Sequence, residues 1–217
     1  MASELNVNWY AVVASSAVIS ALVNVSWGAW LKRNERIKED VEKSRRIGHV
    51  YLDIALDLES FAKRGNAYLF DVQDGLFEFK KNHNSLVLSE LKPLKFEFNV
   101  VPSWSELPVA FVARVKTIPL QFESTNEWIV AQWAGWADLD EVYQLEEERI
   151  AFYGLKICEI ATKIRLEIGA SEDETSSYVE HFKSILNSRR AAFQQQGEAL
   201  TLIPELHAQF KKEQANG

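Results

Sequence analysis

The chain has 217 residues, 24 of them Lys or Arg and 31 Asp or Glu, for a net charge of −7, and 47% are hydrophobic. That acidic balance argues against binding DNA or RNA, which needs a clustered basic face. The single cysteine, Cys158, excludes an intramolecular disulfide and suits a reducing compartment.

Residues 1–9 form a short N-terminus, and from Asn6 to Leu31 no side chain is charged. As a helix, residues 10–31 reach about 33 Å, which matches a hydrocarbon core of about 30 Å. Trp9 and Tyr10 mark one end, Trp27 and Trp30 the other, as interfacial aromatics do. The expectation is one N-terminal transmembrane helix. A cleaved signal peptide fits less well, because no Lys or Arg precedes the apolar run. Ser16, Ser20 and Asn24 recur every four residues as a narrow polar stripe, the pattern of a helix–helix interface within a membrane.

Residues 32–48 form a basic juxtamembrane segment of net charge +3, whereas residues 49–217 carry −9. Lys32, Arg33, Arg36 and Lys38 are candidate lipid-headgroup contacts. By the positive-inside rule the N-terminus faces out, and the C-terminus lies in the cytoplasm beneath the inner membrane.

Residues 49–213 are expected to form a helical cytoplasmic domain, with a tail at 214–217. Ile47, Val50, Ile54, Leu58, Phe61, Tyr68, Val72 and Leu76 follow helical spacing. Prolines 93, 102, 108 and 119 then interrupt the chain, and Lys95 to Val100 alternates polar with apolar as an extended segment does. Ser103 or Ser105 is expected to cap a helix through Leu107 to Val115, with helical periodicity resuming after Pro119. A further helix spans Leu139 to Ile168 and ends at Gly169. Another begins near Ser171 or Thr175, and a shorter last one covers Leu200 to Lys212. The fold class expected is mainly α: the single span followed by an antiparallel helical bundle with one short extended strip.

Three successive glutamates, Glu146 to Glu148, diverge by about 100° each on a helix, so a solvated face is expected rather than a metal site. His49, His83, His181 and His207 lack the spacing that brings ligands together on one helix face. Phosphate-cradling glycine loops and nucleophile elbows are absent. No metal, cofactor or catalytic residue is therefore expected, and the chain reads as no enzyme. Cys158, between Ile157 and Ile160, reads as a small buried hydrophobe. Trp128, Trp133 and Trp136 are read as core packing or as a partner surface.

The stretch Trp104-Ser105-Glu106-Leu107-Pro108, the turn before Pro119 and the helix around Tyr153-Gly154-Leu155 resemble a group of uncharacterised bacterial proteins with one N-terminal span and a helical cytoplasmic region. The resemblance implies no activity and no site. The function expected is a membrane-anchored, non-enzymatic protein whose helical domain associates with itself or with a membrane or cytoplasmic protein at the inner leaflet. The alternative is an oligomeric membrane-perturbing effector built from associated spans, and the third reading is an unrecognised enzyme.

Overall fold

A computed structural model describes residues 9–98, 103–135, 138–170 and 175–216, with residues 9–26, 28, 29, 176 and 216 described as backbone only. Among the described residues there are six α-helices: α1 (Trp9–Asn82), α2 (Leu86–Glu90), α3 (Val109–Gly135), α4 (Leu139–Ile168), α5 (Ser176–Gln196) and α6 (Pro204–Asn216). Short 3₁₀ turns lie at Trp104–Glu106 and Gly197–Ala199. The chain divides into two compact units, Met1–Ile47 and Gly48–Gly217.

In the first unit the described side chains of α1 are mostly exposed. Trp27 and Trp30 have ring centroids 5.1 Å apart, and Lys32, Arg33, Arg36 and Lys38 face solvent. Among the described residues no helix is long and apolar enough to cross a membrane. The expected transmembrane helix at 10–31 is thereby corrected. That stretch is the early part of α1, which continues into the charged residues from Lys32 onward. Ser15, Ser16, Ser20, Asn24 and Ser26 place five polar groups within it, and each opposes transfer to hydrocarbon. With the span go the single-pass topology, N-terminus out and C-terminus in, the inner-membrane location and the bilayer as partner. The headgroup role of Lys32, Arg33, Arg36 and Lys38, the anchored-association function and the membrane-perturbing alternative lose their support with it. The mainly α bundle stands without that helix.

In the second unit α4 is the central element, packed on both α3 and α5. Its helical stripe explains why: Val142, Leu145, Tyr153, Ile157, Ile160 and Ile164 are all buried, on spacings of three, four or their sums. α3 ends at Gly135 and α4 begins at Leu139, so two helices packed over their length and joined this closely double back on each other. Gln144 meets Arg189 on α5 while Gly154 meets Phe182, so contacts run in opposite directions along that pair. Both neighbours of α4 are thus antiparallel to it. Asp138 opens α4 in a capping box, its backbone N–H donating to the Glu141 carboxylate at 3.2 Å. Gly169 closes it in the left-handed conformation, φ 67°, as expected from the sequence.

One local expectation changes. α3 runs unbroken through Pro119, where a break was expected. Proline removes one N–H and crowds the preceding turn, but Val115, Ile118 and Phe122 are buried on both sides of it and hold the two halves in line. Residues 91–98 form no helix, and the alternation holds: Phe96 is buried and stacks on Phe61 at 4.3 Å, while Lys95 and Glu97 face solvent. Asn99 and Val100, the end of that strip, lie outside the described residues. The five-residue α2 is fixed by Leu88, which is buried against Val72 and Leu76, and by the Tyr143 hydroxyl donating to the Leu88 carbonyl.

Gly154 marks a close approach of α4 to α5. A Cβ there would lie 2.6 Å from the ring of Phe182, itself fully buried. Gly154→Ala should therefore lower stability, because overpacking of about 1–3 kcal/mol outweighs the gain of about 1 kcal/mol in helix propensity. The expected drop in Tm is about 2–4 °C. In a Phe182→Leu background the same change should be neutral or stabilising, and a double-mutant cycle by thermal unfolding reads the difference. Equal effects in both backgrounds would show that the ring is not the obstacle.

Candidate functional site

The three glutamates of α4 are not a solvated face. Glu146 and Glu148 are buried and Glu147 is half-buried, because residues 145, 146, 148 and 149 fall on the inward stripe of the helix. Charges so placed need partners. Arg149, fully buried, supplies the first: its Nε and Nη2 donate to the two oxygens of Glu146 at 2.7 and 2.5 Å, and Nη1 donates to the Phe122 carbonyl at 3.0 Å. The guanidinium also lies over the Phe122 ring, 3.9 Å from its centroid.

Glu148 points toward α5 and the loop before α6. Its Oε2 accepts the Ile203 backbone N–H at 3.0 Å, and Arg189 Nε lies 2.9 Å from Oε1. The Arg189 N–H is not aimed at that oxygen, which accepts no hydrogen bond. Burial outweighs both favourable contacts, and the Glu148 carboxyl is pushed up to about 7. Two residues beyond Ile203, Glu205 Oε1 accepts from the Tyr153 hydroxyl at 2.8 Å and from Thr125 Oγ1 at 2.7 Å.

Arg189 leads from this interior to a groove of about 480 Å³ between α1, α4 and α5. Eight of its ten lining residues are polar, the exceptions being Leu76 and Ile185. Arg189 Nη2 donates to Gln144 Oε1 at 3.1 Å, fixing the guanidinium at the groove wall. His181 is held in one tautomer: its Nδ1–H donates to Asn66 Oδ1 at 2.8 Å, and Gln73 Nε2 stands 3.4 Å from Nε2. Burial keeps the imidazole below its ordinary value, hence neutral at pH 7, and Phe70 stacks on its face. Burial likewise raises the Glu147 carboxyl, opposed by a hydrogen bond from Gln73 and by the charges of Arg189 and Lys80. The groove thus places two cations, one raised carboxyl, one neutral imidazole and the hydroxyls of Ser184 and Ser188 around one space. Such a set can bind a ligand that offers both an acid and a hydrogen-bond donor. Among the described residues no group of His, Cys, Asp or Glu is arranged to hold a metal ion.

The residues singled out in sequence fall elsewhere. Trp128 is half-buried and Trp133 is 51% exposed on α3, neither lines the groove, and Trp136 lies outside the described residues. Ser16, Ser20 and Asn24 sit on α1, but their side chains lie outside those described. Gln73, Lys80 and Arg189 carry no sequence signal, while Glu147 reads in the sequence as part of a solvated face and His181 as an isolated histidine. One signal was available: Arg149 interrupts an otherwise apolar stripe, and a charge in such a register marks a buried network.

No family model, no curated protein and no solved structure matches the chain. The resemblance to single-span bacterial proteins is thereby withdrawn, since neither a matching family nor a membrane-crossing helix among the described residues supports it.

Proposed function

We propose that the second unit is a helical binding domain whose α1–α4–α5 groove takes a small amino- or hydroxy-carboxylate, and that it acts without catalysis. The observation that carries this reading is the pairing of opposite chemistries around one groove: Lys80 and Arg189 for the acid, Glu147 and the His181 Nε2 for the donor. Arg189 and His181 are each fixed by hydrogen bonds that they donate to neighbouring helices, so ligand binding does not have to order them.

Calorimetric titration of the full chain at pH 7 with a panel of amino acids and hydroxy acids tests the reading. At least one should bind with a Kd below about 1 mM, which corresponds to about 4 kcal/mol. Lys80→Ala should weaken it about tenfold or more, the loss expected for one charge-assisted hydrogen bond. The ligand should be recovered unchanged after prolonged incubation. Failure of the whole panel, or binding indifferent to both Lys80→Ala and Glu147→Ala, would remove the assignment; turnover of a bound ligand would make the domain an enzyme.

A further inference from the structure

A second groove, also of about 480 Å³, lies between α4, α5 and α6. The two grooves use different faces of α5. His181, Ser184, Ile185 and Ser188 line the first, whereas Lys183, Leu186, Asn187 and Arg190 line the second, two positions on and about 200° around the helix.

Its floor is apolar. Leu186, Leu206 and Phe210 are buried beneath it, with Phe152 and Leu155 half-buried beside them. Its rim carries three cations, Lys156, Lys183 and Arg190, with Glu159 the one carboxylate among the lining residues. None of the three cations is committed to a buried acid. Lys156 donates to the neutral Gln121 side chain at 3.0 Å, Lys183 to exposed Glu180 at 3.2 Å, and Arg190 to exposed Glu213 at 3.0 and 3.2 Å. Exposed pairs of this kind contribute little and yield to a competing anion that brings apolar surface of its own.

We propose that this groove binds a single-chain amphiphilic carboxylate, of the size of a medium-chain fatty acid, with its tail on the Leu155, Leu186 and Leu206 floor and its head among Lys156, Lys183 and Arg190. Charge complementarity selects the head and the apolar floor selects the tail. A phenyl ring under a guanidinium, Phe210 beneath Arg190 at 5.3 Å, keeps that cation at the boundary between them. The site is separate from the polar groove and stands or falls without it.

The test is calorimetric titration of the full chain with sodium decanoate, kept far below the concentration at which it forms micelles. Decyltrimethylammonium, decanol and an acidic amphipathic peptide are the comparisons. Decanoate should bind one to one, at least tenfold more tightly than the cationic and neutral amphiphiles. The charge-reversed pair Lys156→Glu and Lys183→Glu should lose at least tenfold in affinity with an unchanged Tm, since neither side chain is buried. If that pair unfolds the protein, Lys183→Ala alone should cost at least threefold. Absent binding, equal binding of all three amphiphiles, several decanoates per chain, or affinity indifferent to these variants would overturn the proposal. Preference for the peptide over decanoate would give the groove to a protein and overturn it equally.

Discussion

Replacing Arg149 with methionine should lower the free energy of unfolding by about 3–5 kcal/mol, the cost of leaving one member of a buried ion pair without the other. The loss has three sources. Glu146 keeps its burial but loses both donors, the Phe122 carbonyl loses the donor from across the interface, and the Phe122 ring loses the cation on its face. Far-UV circular dichroism in urea reads the change. The double variant Arg149→Met with Glu146→Leu should recover most of it, because removing both charges removes the desolvation that each imposes. A single variant within about 1 kcal/mol of the parent would mean that Glu146 finds water or another donor when Arg149 is gone.

Glu148 carries the second large effect, and its sign is opposite. Its carboxyl ordinarily titrates near 4.5 and is pushed up to about 7 in the fold, so the folded chain holds a proton that the unfolded chain releases. The stability that goes with this proton is complete below about pH 4.5 and is lost as the pH rises through 7, a fall of about 3 kcal/mol from this residue alone. The groups that face it are Arg189 on α5, the Ile203 N–H before α6 and Glu147 on its own helix. Glu148→Gln should consequently raise Tm at pH 8 and leave it nearly unchanged at pH 5, where the native carboxyl is already protonated. Scanning calorimetry at the two pH values decides it. A variant less stable at pH 8 would show that the charge-assisted contact with Arg189 outweighs the burial of the carboxylate.

How much of this was legible in the sequence depends on the kind of residue. α4 was readable almost to its ends, because its buried positions are apolar at helical spacing and Asp138 and Gly169 punctuate it. Phe96 was readable from period-two alternation. α3 was not, since Pro119 signals a break by local rules, while the burial of Val115, Ile118 and Phe122 that overrides it is tertiary. The glutamates of α4 misled for a similar reason. Charge predicts exposure until a partner is known, and Arg189 lies 41 residues beyond Glu148. The charge-free run before Lys32 misled in the other direction, because hydropathy alone does not distinguish a membrane span from the first turns of a long helix that also carries charged ones. The polar groove is assembled from residues 73–80, 144–147 and 181–189, and no local pattern joins them.

Cys158 has a use that follows from its depth. It is the chain's one thiol and has no exposed surface, on the helix that α3 and α5 both cover. A thiol so placed reacts with a labelling reagent only while the bundle is open. The rate of its modification under native conditions, set against the rate in denaturant, therefore measures the free energy of opening around α4. The protein carries its own clock for that motion, with no probe to introduce and no second cysteine to confuse the reading.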